Sequence, residues 1–359
     1  STYFDELNID SLFVDEAHEF KNLAFRTRMS RVPGVNPTGS NMAFDMWMKT
    51  TYFNKATNEK NLLFATGTPI ANAIAEMYTM QRYLQPSELA RLGLEHFDSW
   101  AASFADEVTK PEIDPAGGGM RMHSRLSQYI NMPELSAIFR QIADVQTADM
   151  LVDVLKRPLI EGDAPQAVKA ERNAILEEII EGLQERAQRV RGGMVDKSED
   201  NMLNIVTDGR KAATDIRLID PSYPDLKGSK VNLAVENIHR IWAETSDKKS
   251  TQVVWLDVTS PNTDYPFNLY HDIVDKLAAL GIPRDEIAIM HDYNEKTKAQ
   301  LFRSMNKGNI RILLGSTAVM GTGVNVQRKL IASHHLDVPW RPDQLEQRDG
   351  RILRRGNTN

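Results

Sequence analysis

An α/β fold is predicted for this chain, and three features of the sequence predict it. Short apolar runs recur, each leading into a polar or glycine-containing stretch. Helical segments with apolar spacing near 3.6 lie between them. In the last third the two kinds of segment alternate, which is the pattern of a parallel sheet with helices on both faces.

The elements follow in order. Residues 11–14 are an apolar run ending at Asp15 and Glu16, as a buried parallel strand would. Polar sequence with proline and glycine over residues 26–40 reads as a long loop. A helix over 41–53 precedes a second buried strand over 62–65, broken by Thr66-Gly67-Thr68-Pro69. Another helix, 74–83, comes before Pro86. Residues 95–154 read as mainly helical, interrupted by Pro115-Ala116-Gly117-Gly118-Gly119. The stretch 158–165 reads as an interdomain crossing, dividing the chain into domains 1–157 and 158–359. A strong helix is predicted over 167–191, stopped by Gly192-Gly193, and another over 208–218, closed by Asp220-Pro221. Strands are then expected at 253–256, 287–290, 310–314 and 330–336, with helices at 271–280, 295–306 and 341–353.

Composition bounds the function. A chain of 359 residues with 41% hydrophobic content buries a large core, and two domains are the natural expectation. No apolar run approaches bilayer-spanning length, so a membrane span is not expected. No basic, apolar leader opens the chain, and the opening Ser-Thr-Tyr-Phe reads as mid-protein sequence, so a fragment is expected. Cysteine is absent, which excludes disulfides and thiolate metal sites and fits a reducing cytoplasm. The net charge of -6 argues weakly against a protein coated in nucleic acid. Where a strand is gripped along one groove, local charge matters more than the total.

Four motifs carry chemistry. Asp15-Glu16-Ala17-His18 stands directly after a strand, where α/β folds place their reactive groups. There the first carboxylate can hold Mg²⁺ through water and the second can polarise a water attacking a phosphate. A charged, solvated turn satisfies the same four residues. Thr66-Gly67-Thr68-Pro69-Ile70 follows the second strand. Its hydroxyls suit a relay of nucleotide state, or a simple helix cap. The passage from Gly315 through Gly321, Gly323 and Asn325 to Gln327 lets backbone amides approach a phosphate. The last predicted helix holds Gln347, Arg348, Gly350 and Arg351, with Arg354 and Arg355 behind them. Arg351 and Arg354 are three apart and are expected on one helical face. Two adjacent guanidinium forks suit a polyphosphate; pairing with Asp343, Glu346 and Asp349 is the alternative.

In this order the motifs resemble those of superfamily-two helicases with a DEAH box, and more narrowly the Swi/Snf-type double-stranded DNA translocases. Lys21-Asn22, Asn72, Asp337-Val338-Pro339-Trp340 and the closing Gly350-Arg351 with Arg354-Arg355-Gly356 carry the narrower likeness, as does Leu218-Ile219-Asp220-Pro221. It extends over nearly the full length and is strongest in residues 11–25, 62–72 and 250–357. The resemblance implies RecA-like parallel sheets: part of a first domain with helical insertions, then one complete C-terminal domain. It implies ATP and Mg²⁺ as cofactors and duplex DNA as partner. Asp15 becomes the metal carboxylate and Glu16 the water-activating one, while Thr66 and Thr68 couple hydrolysis to movement. His18, Gly321, Gly323, Asn325 and Gln347 become nucleotide- or strand-binding groups. Arg351 and Arg354 reach the phosphates, with Arg354 as the finger on the γ-phosphate.

The sequence also departs from that family. No Gly-x-x-Gly-Lys-Thr/Ser occurs, so the phosphate-cradling loop is expected in a missing N-terminal part, and this chain alone is expected to hydrolyse ATP poorly or not at all. Ala71 stands where glutamine is frequent, and Gly350 where aspartate is. Arg26, Arg28 and Arg31 lie in a loop longer than usual, which either touches a DNA backbone or is simply solvated. Residues 209–213 with Asp220-Pro221 resemble large phage and mobile-element proteins that join an adenine-methyltransferase region to such a motor, although no Asn-Pro-Pro-Tyr-type motif is present. A degenerate motor kept as a DNA- or protein-binding scaffold and an unrelated α/β enzyme with a chance acidic box are the competing readings.

Overall fold

The computed structural model describes residues 3–29, 32–70, 73–113, 120–147, 150, 158–171, 173–196, 198–262, 265–321 and 323–359. Those up to Thr147 form one unit and those beyond it a second. The fold is mixed α/β on parallel sheets, as the alternating pattern predicts.

In the first unit β1 (Leu12–Val14) and β2 (Leu62–Phe64) pair in parallel, Leu12 opposite Leu62 and Val14 opposite Phe64. Between them runs α1 (Asn41–Thr57), whose cap Ser40 accepts a hydrogen bond from the Ala43 amide at 3.1 Å. Then come α2 (Ala75–Leu84), α3 (Pro86–Arg91) and α4 (Phe97–Phe104). Tyr83, fully buried on α2, donates to the carbonyls of Phe20 at 3.0 Å and Ala43 at 2.9 Å, tying helix to loop. Behind it Tyr78, Phe97 and Trp100 build an aromatic core, with the Trp100 indole donating to Gln81 at 2.7 Å.

Two expectations fail in this unit. The strands are not buried on both faces: Phe13 is 72% and Leu63 48% exposed, while Phe64 packs into a cluster with Ala43 and Tyr83. Alternation puts Phe13 and Leu63 on the side opposite Phe64, which no described element covers. Nor is the region 95–154 mainly helical. After α4 comes an antiparallel ribbon, β3 (Ala105–Ile113) with β4 (Met120–Tyr129), before α5 (Met132–Phe139). Its Ala, Glu, Lys, Met and Gln favour helices locally, and cross-strand pairing overrides that preference. Residues 114–119 and 151–157 lie outside the described residues.

The first α-helix of the second unit is α6 (Ala174–Arg191), which starts at Ala174 rather than residue 167 because the Asn173 side chain caps it. α7 (Met202–Thr214) starts earlier than predicted, at an Asn201 cap, and the predicted stretch to 218 finishes as a separate 3-10 turn. Arg186 ties the pair, bonding Asp200 and Asp208 at 2.8 Å each. α8 (Lys230–Glu244), not anticipated from the sequence, begins at a Ser229 cap. Then β5 (Thr251–Trp255), α9 (Leu269–Ala279), β6 (Ile287–Ile289), α10 (Glu295–Lys307), β7 (Ile312–Gly315), α11 (Thr317–Met320), β8 (Leu330–His335) and α12 (Pro342–Ile352) alternate. The four strands are parallel in the order β6-β7-β5-β8. One face packs Val254, Leu256, Ile312 and Leu314 against α8 and α9; the other packs Val253, Trp255 and Leu313 against Leu301 and Met305 of α10. Among the described residues no helix is long and apolar enough to cross a membrane.

Candidate functional site

At the carboxyl edge of β1 the chain turns sharply. Glu16 adopts a left-handed backbone, φ 49° and ψ 42°, which costs a non-glycine residue roughly 1–2 kcal/mol. The turn throws the Asp15 carboxylate out into solvent, where it accepts from the Glu16 amide at 2.9 Å. His18 goes inward and is 2% exposed. Its Nδ1 stands 3.0 Å from the Thr66 hydroxyl and 3.4 Å from a Glu16 oxygen, while Nε2 stands 3.2 Å from Glu19. Parallel pairing makes this meeting possible. The Ala65 amide donates to Val14 and the Ala17 amide to Ala65, at 2.8 and 3.0 Å, so both strands release their motifs at one level.

Thr66 also accepts from the Thr68 amide at 3.1 Å, closing the Thr-Gly-Thr turn on itself. The Thr68 hydroxyl is buried with no hydrogen-bond partner among the described residues. Lys21 pairs with Glu76 of α2 at 3.2 Å, both nearly buried, anchoring the segment after the acidic box. Residues 71 and 72, with the Asn72 of the resemblance, lie outside the described residues. Among those residues no three His, Asp or Glu side chains form a metal cage. Asp15 by itself fits the demand of Mg²⁺, which keeps several waters and takes one or two carboxylates beside substrate phosphates.

In the second unit the arginines and the glycine passage meet. Arg351 donates to the carbonyl of Gly321 and, at 3.2 Å, to that of Val324. Arg354 donates to the Asn325 side chain at 2.8 Å and weakly to Val324 at 3.4 Å. The expectation of one helical face needs correction: α12 ends at Ile352, and Arg354 reaches the same loop from beyond the helix. Gly321 is required at its position, because a Cβ there would lie 2.4 Å from the Thr317 carbonyl. Gly323 takes φ +66° and is exposed, as Asn325 is, while Gln347 is half-buried on α12. Thr322 lies outside the described residues. Arg26 and Arg28 are exposed while Phe25 and Met29, which flank them, pack inward; Arg31 lies outside the described residues.

Sequence reasoning missed the densest polar cluster. Arg348, 0% exposed, donates to Asp257 at 2.7 Å, to Asp337 at 3.1 Å, to the Asp337 carbonyl at 2.8 Å and to the Thr317 hydroxyl at 2.7 Å. Asp257 accepts from the Thr317 amide at 2.6 Å, and Asp337 accepts from the amides of Asp257 and Val258 at 2.6 Å each. The signal was available. Asp257, Thr317 and Asp337 each stand just past a strand, and Arg348 sits one turn before Ile352, which packs on the sheet. Nearby, burial lowers the Lys230 ammonium, against a weaker upward pull from Asp337. Burial likewise lowers His291, whose Nε2 is 3.3 Å from the Ser316 hydroxyl. Trp340, 57% exposed after β8, carries the Arg210 guanidinium 4.5 Å from its ring centre.

Comparison with known proteins agrees with helicase-type sequence at both ends of the chain. Residues 1–147 match a family described as a probable helicase domain, and residues 268–356 match the helicase conserved C-terminal domain. A stretch of 231 residues is 23% identical to the defense against restriction protein B of Escherichia phage P1. That stretch is 60% of this chain and 10% of the phage protein, so the chain corresponds to a small part of that relative. The solved Sulfolobus solfataricus SWI2/SNF2 ATPase core in complex with dsDNA is similar at a TM-score of 0.36 and 15% identity, over 100% of this chain and 64% of that one.

Proposed function

We propose that this chain is part of an ATP-dependent DNA translocase motor of superfamily two, Swi/Snf-like and with a DEAH box. Residues 1–157 would be the carboxyl-terminal part of a first RecA-like domain and 158–359 a complete second one. The observation that carries the reading is the convergence of motifs at strand ends. His18 of the acidic box is bonded to Thr66 of the Thr-Gly-Thr turn at 3.0 Å, a contact that neither motif needs as a mere turn or cap. The strained backbone at Glu16 supports it, since strain of that kind persists where a carboxylate must be aimed. The helicase-type matches over 1–147 and 268–356 point the same way.

In the parent protein Asp15 would hold Mg²⁺ on ATP and Glu16 would orient the attacking water. Thr66 and Thr68, through His18, would pass the change at that edge to the rest of the first unit. Arg351 and Arg354 would leave their carbonyl and Asn325 partners for the phosphates, Arg354 as the finger. Gly321, Gly323, Asn325 and Gln347 would line the nucleotide or the tracked strand. The bare Phe13 and Leu63 side of the first sheet supports a preceding segment of the same protein that covers it and supplies the phosphate loop. The similarity to a stretch of a phage protein supports a parent that is a large phage or mobile-element protein acting in the cytoplasm.

ATP turnover tests this directly. The chain extended upstream to its phosphate loop is expected to show ATPase activity stimulated by duplex DNA, and Glu16→Gln to lower it about 10²–10⁴-fold. The chain alone is expected to show little or none. Duplex-independent turnover in the extended protein, or full activity in Glu16→Gln, overturns the reading.

A further inference from the structure

Four parallel strands begin at one edge of the second sheet, and the helices between them return the chain to it. This amino edge lies away from the one carrying Asp257, Thr317 and Asp337; the five residues of β5 separate the two by about 16 Å. It gathers the turns before β5, β7 and β8 and the tail after α12. Hydrogen bonds stitch these pieces together. The Lys329 ammonium donates to the Lys248 carbonyl at 2.8 Å. Asn306, on the last turn of α10, accepts from the Arg328 amide at 3.1 Å and donates to the Asn325 carbonyl at 2.8 Å. Thr358 donates to the Arg328 carbonyl through its amide at 3.0 Å and its hydroxyl at 2.7 Å. Gly308 closes α10 at φ +80°, so near the turn before β5 that a Cβ would lie 2.5 Å from the Lys249 carbonyl oxygen.

The charge on this edge is one-sided. Residues 247–250, 303–309, 327–329 and 354–359 hold eight basic side chains and one acidic one, Asp247, in a chain of net charge -6. Lys248, Lys249, Arg303, Lys307, Arg328 and Arg355 are exposed. Other surface cations of this unit are paired: Arg240 with Glu244, Arg284 with Asp275 and Lys298 with Glu295. Among the described residues none of those six has such a partner. Lys307 by itself suits the end of α10, but Arg303 one turn earlier repels it. The patch stops at β6, where Asp285 and Glu286 restore the balance.

We propose that this amino edge is a second, sequence-independent binding surface for duplex DNA, its exposed lysines and arginines lying against backbone phosphates. Unpaired cations at this density complement a duplex, which carries one negative charge per about 1.7 Å of its axis. The edge lacks what other partners need. No aromatic residue occurs in the four segments, so unpaired bases have no platform to stack on. None of their side chains is a large exposed apolar one, of the kind that forms the centre of a protein interface. Asn309 and Asn359, exposed between the cations, add neutral donors of the type that accompany arginine and lysine on phosphates. The choice of partner rests on the DNA reading above, but none of the six residues belongs to the proposed ATP machinery. A grip there holds duplex whatever nucleotide the motor carries.

The test measures binding of the full chain to a fluorescein-labelled duplex over a range of salt concentrations, without nucleotide. In Lys307→Ala/Arg328→Ala/Arg355→Ala the slope of log affinity against log salt is expected to become shallower by about 2.7, at roughly 0.9 for each phosphate no longer neutralised. Lys307→Arg/Arg328→Lys/Arg355→Lys is expected to keep the slope, because it keeps the charges. Arg91→Ala/Arg125→Ala/Arg284→Ala removes as many cations, all of them paired, and is expected to leave the slope alone. The chain has no cysteine, so Lys307→Cys takes a benzophenone maleimide at that position alone and is expected to crosslink to the duplex. That arm stands should the triple variant misfold. If the chain binds duplex but the first variant keeps its slope, or the paired-cation variant changes it equally, or position 307 fails to crosslink, the amino-edge proposal is overturned and the DNA reading stands. If poly-glutamate displaces the labelled duplex at a lower concentration of charge than unlabelled duplex does, the partner is an acidic protein and the proposal is overturned as well. If the unaltered chain binds no duplex, the proposal falls, and ATP turnover of the extended protein still decides the motor reading.

Discussion

The two carboxyl edges of the molecule are built on opposite plans. In the second unit the loops after β5, β7 and β8 are tied to α12 by one buried guanidinium, with Arg348 serving Asp257, Thr317 and Asp337 together. In the first unit, among the described residues, the acidic box and the Thr-Gly-Thr turn are tied by the side-chain contact of His18 to Thr66, beside a backbone held in a strained region. The sheets behind them differ in the same sense. Among the described residues, four strands with helices on both faces support the one edge, and two strands of three residues with one bare face support the other. A buried ion network holds a fixed platform, whereas a lightly held edge can change geometry at small cost. On the proposed function the fixed edge carries the arginines and the adaptable edge carries the hydrolytic carboxylates.

Four measurements break or sharpen this contrast. Arg348→Met should do most damage, because it removes the buried guanidinium that Asp257 and Asp337 share. A loss of about 3–5 kcal/mol is expected from urea unfolding of the second unit followed by Trp255 fluorescence. A loss under 1 kcal/mol would show that the network is dispensable.

Lowering the pH tests the same sheet through a different group. Packing around His334, with smaller pushes from His335 and Arg240, lowers its pKa to about 4, and its ring is hydrogen-bonded to Gln252 at 2.8 Å. Unfolded, the ring titrates near 6.5. Between these values the unfolded chain binds a proton that the folded chain refuses, so stability falls as pH drops from about 6.5 towards 4. Above pH 7 this group makes no difference. His334→Gln should flatten the stability profile over that interval, and an unchanged profile would refute the assignment.

In the first unit His18→Ala should cost roughly 1–2 kcal/mol, the worth of one hydrogen bond plus the stranding of its partner. Thermal unfolding reported by Trp100 checks this. A loss equal to that of Arg348→Met would erase the contrast between the edges. Phe13→Ser with Leu63→Ser should do least, changing stability by no more than about 0.5 kcal/mol because both side chains already face solvent. A fall of several kcal/mol in either thermal or urea unfolding would show that this side of the sheet is packed in solution.

Much of the second unit was legible in the sequence because its signals are local. The helices expected at 271–280 and 295–306 are found as α9 and α10, closed near Gly281 and Gly308, while the Asn268 cap starts α9 two residues earlier than expected. The apolar runs at β5 and β7 could be read as buried strands because both faces of that sheet are covered. The same rule misled at β1 and β2, where Phe13 and Leu63 read as core and stand exposed. It also gave no warning of the β3–β4 ribbon, whose Lys, Glu, Met and Gln are good helix formers. Of the candidate site, the motifs and their order were legible, but their partners were not.

By itself, then, the sequence determined which residues are candidates for the site and the kind of element each one ends or opens, since capping, periodicity and strand-end position act within a few residues. Only the tertiary structure decided that His18 meets Thr66, that Arg351 and Arg354 rest on the Gly321–Asn325 passage, and that Arg348 rather than a hydrophobic residue locks α12 down. Those contacts join positions dozens of residues apart. They exist because parallel pairing aligns strand ends in space, and no local window of sequence contains that alignment.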